Sequence, residues 1–367
     1  MTEKAIPVVI NVTLISIYLA DGLTKFFQKY SNYIFLIYPS RIVKILMVLS
    51  AVIFGGFFFR RIPRSLQRIY GLLFILFSIF LFNNVYYGTD FNYFFKYSCF
   101  LFFAPLFFLN VDDVLWKKNV VNTMKCLVYI NLFFIIYGLL TDVQLYKTYY
   151  SRFGYNGLLL TSMQSTYFYI SSIVLAIKMK DKTFLLVSVI SSLFVGTKIL
   201  FGFLLFAGFY LVFSKLKKPK TRVRVLISLT SIFTAISLMF FNQKIFKEII
   251  ETEGFLTALS STRNNLLITS WNSLSEINFN IITGGIKLKD FRVEMELIDV
   301  LMYFGIMGAV VFFFFFKLLK NNFVKNELSL FYFIVILFFI FIGGNFLYYP
   351  INCFLFLITL KSLSLNM

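Results

Sequence analysis

Four basic residues and three acids stand out in this chain by their position among apolar runs. Arg152 lies in Ser151-Arg152-Phe153-Gly154, Lys198 in Gly196-Thr197-Lys198, and Arg263 in Ser260-Ser261-Thr262-Arg263-Asn264-Asn265. Arg292 stands at the mouth of an apolar stretch. Cations gathered on one side of a membrane suit an anionic ligand, and phosphate matches the guanidinium fork. A lipid-headgroup contact or a loop salt bridge also accounts for each of them singly, and accounts best for Arg292. Glu294, Glu296 and Asp299 follow at once. On a helix, positions 296 and 299 share a face and 294 stands apart. Pairing with Arg292 or Lys289, or capping a helix N-terminus, explains Glu294. Asp299 lies deepest in the apolar run, where an ionisable group is costly without a partner or water. Asp299, with Glu296 beside it, is therefore the candidate general base or cation holder. Asp21 and Asp90 are weaker candidates, and Asp21-Gly22 reads as a helix end.

The rest of the composition narrows the chemistry. The 367 residues are 59% hydrophobic and 14% charged, with a mean hydropathy of +0.84; soluble domains carry about 25% charged residues. The excess of apolar residues calls for a membrane as solvent. The formal net charge of +19 then reads as basic cytoplasmic loops rather than nucleic-acid binding. With no histidine in the chain, a Ser-His-Asp triad, a histidine base and a His-ligated metal are excluded. Cys99, Cys126 and Cys353 all fall in apolar stretches and read as small buried hydrophobes. No metal or other cofactor is expected. Nor is a cleavable signal peptide, because only Lys4 precedes the apolar run Ile6–Ala20 and no small-residue cleavage site follows it.

The elements that must position these groups are membrane spans of about 20 residues each. About twelve can be drawn, at 6–23, 41–59, 69–86, 94–110, 122–141, 159–177, 183–196, 199–214, 223–241, 295–316, 328–343 and 346–361. Basic residues cluster in the even-numbered loops, as at Arg60–Arg68 and Lys215–Arg224. Both termini are then cytoplasmic, and one large loop, 242–293, is extracytoplasmic. The fold class is an all-α polytopic membrane protein with a single integral membrane domain. Lys182–Ser214 is almost continuously apolar. As one helix it would reach about 48 Å at 1.5 Å per residue, well beyond a core of roughly 30 Å. Two spans meeting at Gly196–Lys198 are expected instead, with Lys198 in a water-filled cavity. In the large loop, Lys244–Glu253 has amphipathic helical spacing, Asn264–Ser273 has helical spacing, and Thr283-Gly284-Gly285 is a turn. Gly343-Gly344-Asn345 reads as a turn between the last two spans. No internal repeat is visible.

Taken together, these features resemble the O-antigen polymerase (Wzy) family, within the wider O-antigen polymerase/ligase group. The residues that carry the resemblance are the R-x-G of Arg152–Gly154, the small-x-basic break at Gly196–Lys198, the loop motif Ser261-Thr262-Arg263-Asn264-Asn265-Leu266, the Gly-Gly turn, and the acidic entry Glu294–Gly308 in the form E-x-E-x-x-D-x-L-x-x-x-G-I-x-G. The resemblance implies a multi-pass glycosyltransferase of the bacterial inner membrane with an outward-facing active site. Such an enzyme moves a glycan from undecaprenyl diphosphate onto the non-reducing end of a new lipid-linked repeat unit of O-antigen or capsule, without metal or nucleotide sugar. Its partners would be undecaprenyl-diphosphate-linked oligosaccharide, the lipid bilayer and a chain-length regulator protein. By motif, Arg152 and Arg263 would bind the diphosphate. Lys198 stands where the family often has arginine and would supply a point charge in place of a fork. Two alternatives stay open. One is O-antigen ligase, although ligases of the group commonly carry an extracytoplasmic histidine. The other is a flippase or other transporter, which usually shows two related halves.

Overall fold

The computed structural model describes residues 3–30, 39–46, 49, 64–149, 153–273 and 279–366. The described residues form helices and loops, and the pairing outside helices is limited to isolated bridges, Lys147 with Tyr155 and Asn280 with Gly284. Among the described residues, seven helices are long and apolar enough to cross a membrane: Ala5–Gln28, Leu66–Tyr87, Phe91–Phe108, Asp113–Thr141, Lys198–Lys215, Pro219–Met239 and Glu296–Phe323. Lys182–Val195, Glu327–Gly343 and Pro350–Ser364 are shorter apolar helices. Most of the expected span 41–59 lies outside the described residues.

Two helices form the centre. Pro350–Ser364 is buried from Pro350 through Leu363, and Ser162–Met179 from Gln164 through Ala176. The second is too polar to be counted among the seven, because its inner faces carry Ser165, Thr166, Ser171 and Ser172. Neighbouring helices screen those hydroxyls from lipid. Ser188, Ser191 and Ser192 are likewise buried on the adjoining Lys182–Val195 helix. Small side chains let membrane helices approach closely where no hydrophobic drive separates them from lipid. Elsewhere the packing is aromatic. Phe100 meets Phe315, Phe316, Phe346 and Phe356 edge-on, at centroid distances of 4.8, 5.7, 5.9 and 5.7 Å, the geometry that ring quadrupoles favour.

The break in the long apolar stretch falls where it was expected. The Lys182–Val195 helix ends at Gly196 in the left-handed conformation, φ 68°, and Lys198 opens the next helix. The large loop forms helices at Lys244–Glu253, Phe255–Ser260, Arg263–Ser273 and Leu288–Phe291.

A second break was not foreseen. The Glu296–Phe323 helix contains a non-helical residue, Gly305, with φ 66° and ψ −166°, a conformation essentially restricted to glycine. The preceding loop laces into the gap. Gly285 N donates to Tyr303 O at 3.2 Å and Ile286 N to Met302 O at 3.1 Å, while Ile306 N and Met307 N donate to Ile281 O and Ile282 O at 3.0 and 3.1 Å. Asn83 Nδ2 adds bonds to Thr283 O and Tyr303 O at 2.6 and 2.9 Å. Backbone groups freed inside an apolar span must find such partners.

Two expectations are corrected. Asp21-Gly22 does not end a helix, which runs on to Tyr30. The Asp21 carboxylate is buried but paired, accepting from Ser40 Oγ and from Lys44 Nζ, the latter at 3.1 Å, so the helix can continue past it. Cys126 is exposed, unlike Cys99 and Cys353, because it falls on an outer face of its helix.

Candidate functional site

The site builds around the start of the Glu296–Phe323 helix. Arg292 ends the short Leu288–Phe291 helix in extended backbone, and Glu294 follows with φ 62°. This turn points successive charges toward different partners. Asp299, fully buried, sits one turn into the helix. Its Oδ1 accepts from Val293 N at 2.9 Å and its Oδ2 from the Tyr97 hydroxyl at 3.3 Å. Arg292 Nε lies 3.6 Å from Asp299 Oδ2, and Arg292 Nη2 donates to Asn345 Oδ1. The Arg292 guanidinium also covers the ring of Tyr348, with Cζ 3.7 Å from the centroid. Burial disfavours its charge, but Tyr97, Glu296, Asp299 and Glu294 around it raise its pKa above the ordinary guanidinium value.

Asn345 joins the two halves of the cluster. Its amide nitrogen donates to Glu294 Oε2 at 3.3 Å, and that oxygen lies 3.7 Å from Arg263 Nη2. A continuous polar chain therefore runs Arg263, Glu294, Asn345, Arg292, Asp299, Tyr97. Gly344 allows it: with φ +56°, a side chain there would be strained, and a Cβ would collide with the Glu294 carbonyl.

Glu296 is also fully buried, but its hydrogen bonds go to a different segment. Its oxygens accept from the backbone N–H groups of Leu347 and Tyr348 at 3.0 and 3.3 Å, which holds the 344–349 loop against the helix. Lys198 reaches the large loop. Its ammonium donates to Ala258 O, to Leu259 O at 3.3 Å and to Ser261 Oγ at 2.9 Å, and lies 4.5 Å from the centroid of the Phe246 ring. It thus ties down the helix end just before Arg263. Arg152 lies outside the described residues. The loop that follows it is anchored by Lys25, whose Nζ donates to Asn156 Oδ1 and Gly157 O at 2.5 and 2.8 Å.

Both arginines of this polar network leave one donor open. Arg263 is buried and its Nε has no hydrogen-bond partner among the described residues; the same is true of Arg292 Nε. Their ion pairs, at 3.7 and 3.6 Å, are longer than hydrogen bonds. An oxyanion entering between them would satisfy donors that the protein leaves open. One turn along from Arg263, Leu267, Ile268 and Trp271 face Ile298, Leu301 and Ile306 across an apolar groove of about 920 Å³.

The structure thus unites Arg263, Arg292, Glu294 and Asp299. It places Lys198 beside them as an anchor and Glu296 behind them as a loop clamp. Tyr97, Asn345 and Tyr348 escaped the sequence reading. All three are uncharged and sit within apolar or turn segments; the one visible signal is a polar asparagine in a loop without charged residues. No protein-family model matches the chain, and no curated protein does.

Proposed function

We propose that this protein is a membrane-embedded glycosyltransferase of the polysaccharide-polymerase type, taking its glycan from a lipid diphosphate. The observation that carries this reading is a pair of arginines, Arg263 and Arg292, each with a buried Nε donor left without a hydrogen bond among the described residues, near an apolar groove that starts one turn along from Arg263. A ligand with an anionic head and a long hydrocarbon tail suits that combination. The diphosphate of undecaprenyl diphosphate would lie between Arg263 and Arg292, and its isoprenoid chain would occupy the groove between Leu267 and Leu301.

In the reaction, an acceptor hydroxyl oxygen attacks the anomeric carbon of the donor sugar. The new C–O bond forms as the bond to the diphosphate oxygen breaks, and the lipid diphosphate leaves with the electron pair. The guanidinium groups stabilise the charge that develops on that leaving oxygen. The hydroxyl proton goes to a carboxylate. Asp299 and Glu296 are fully buried and engaged, so they serve better as holders of Arg292 and of the 344–349 loop. Glu294, whose side chain is 41% exposed beside Arg263, is the carboxylate a substrate can reach and is assigned as the base.

The test is the surface glycan of a strain lacking this chain, run as a gel ladder and complemented with variants. A single repeat unit without a ladder, rescued by wild type, is expected of a polymerase. Arg263→Ala and Glu294→Gln should each cut polymer formation by about 10²-fold or more, the scale for losing one transition-state partner. Polymer stranded on the lipid carrier would mean a ligase, and single repeats trapped in the cytoplasmic leaflet a flippase. An unchanged ladder in the deletion strain would end the proposal.

A further inference from the structure

A second cavity, of about 720 Å³, opens between the end of the Ala5–Tyr30 helix, the 40–45 helical turn, the start of the Phe91–Phe108 helix and the 348–350 loop. It differs in kind from the apolar groove. Three basic side chains line it, Arg41, Lys44 and Lys96, with one carboxylate, Asp90. Asp90 is already engaged as a helix cap, accepting from Asn92 N at 2.7 Å. Lys44 leans on Asp21 behind it. Lys96 reaches across to the Tyr348 hydroxyl at 2.5 Å and lies 3.7 Å from the ring centroid. The lining therefore keeps an excess of positive charge. Aromatic rings make up much of the rest of the wall, including Phe91, Phe95, Tyr348 and Tyr349, and Gln28 and Asn92 add neutral hydrogen-bonding groups.

Flat rings, scattered amides and a surplus of cations form a coherent set. Rings cover the apolar face of a sugar, and amides meet its hydroxyls. The cations have no use for a neutral sugar but pair with a carboxylate. A free diphosphate would need the cations alone and would leave the rings idle.

We propose that this cavity binds the acceptor glycan and selects a sugar bearing a carboxylate, with Lys96 and Arg41 as its anion partners. The inference rests on the glycosyl-transfer reading above, because Tyr348 is shared. The same ring that contacts Lys96 is covered by Arg292, which pairs with Asp299. A sugar held in this cavity lies one ring away from the donor's leaving group.

The experiment is ligand-observed saturation-transfer NMR on the purified full chain in lipid nanodiscs. Hexagalacturonate is compared with uncharged maltohexaose and with inorganic pyrophosphate. The expected result is saturable binding of hexagalacturonate, no comparable binding of maltohexaose, and apparent affinity at least about tenfold weaker in Lys96→Gln and in Arg41→Gln, the loss of one charge-assisted contact. Arg41 is exposed at the rim, so its variant guards against misfolding of the Lys96 variant. Equal binding of both hexasaccharides, no binding of hexagalacturonate, or unchanged affinity in both variants would overturn the proposal. Pyrophosphate binding more tightly than the uronate and lost in the same variants would assign the cavity to a phosphate headgroup, which also overturns it. Because the readout is binding and not polymer length, its failure leaves the ladder test standing.

Discussion

Arg292 meets three groups at once: the face of Tyr348, the amide oxygen of Asn345 and the carboxylate of Asp299. Only a planar, forked cation can stack and bridge in this way. Arg292→Lys keeps the charge and loses the fork. On the proposed function, polymer formation on the gel should fall about 10²-fold, while a full ladder would show that a point charge suffices. The opposite logic holds at Lys198. A compact ammonium with three donors suits three oxygens at a helix C-terminus, and Ala258, Leu259 and Ser261 supply them. The sequence marked Lys198 as an irregular member of a cationic set, and residue type was the clue that its task differs. What residue type could not convey is direction. Glu296 and Asp299 share a helical face by spacing, yet one clamps the 344–349 loop and the other faces Arg292 and Tyr97, because the partners arrive from segments about fifty and two hundred residues distant.

Helix ends were more legible than helix interiors. Gly196-Thr197, Lys244–Glu253 and Gly343-Gly344 carry local signals, and each appears as an element boundary or helix. Asp181 marks another helix start in the structure. It caps the Lys182–Val195 helix by accepting from Phe184 N at 3.0 Å, and it pairs with Lys125 at 2.6 Å. Asp181→Ala should cost about 1 kcal/mol, the usual loss of an N-cap, seen as a lower melting temperature in detergent. The hydrogen bond from Lys125, then those from Phe184 N–H and Thr183, hold the Asp181 carboxyl below the usual carboxylate range. A depressed folded-state pKa contributes stability above the unfolded value of about 3.9 and loses it as pH falls through the folded value. The gap between wild type and Asp181→Ala should therefore stay constant from about pH 5 to pH 8. A gap closing within that window would mean the carboxylate titrates there and the cap is differently built. The Gly305 break had no comparable local signal, since glycines in an apolar run are common in membrane helices and the partners that make it a break come from residues 281–286.

At the scale of the whole molecule, hydropathy alone indicated an all-helical, membrane-type chain, and among the described residues seven helices meet the requirement for crossing. The span drawn at 159–177 is the Ser162–Met179 helix, whose serines are tolerated because other helices surround it. On the loop-charge rule, residues 242–293 are expected outside and 215–224 inside. In a cysteine-free background, Glu251→Cys should react with a membrane-impermeant thiol reagent on intact cells, and Lys218→Cys only after the cells are opened. The reverse pattern would invert the topology and put the arginine cluster in the cytoplasm. The Gly305 interruption bears on how such a chain is made. The Glu296–Phe323 segment is among the most apolar of the chain, with a mean hydropathy of 2.2 over its best window, and a segment of that kind enters the bilayer readily as an uninterrupted helix. Its interruption requires Ile281–Ile286 to be already in place to take up the released backbone groups. Docking of the 281–286 segment is then expected to follow insertion, so a chain in which it fails to dock would still be inserted and normally abundant but would lack the break at Gly305.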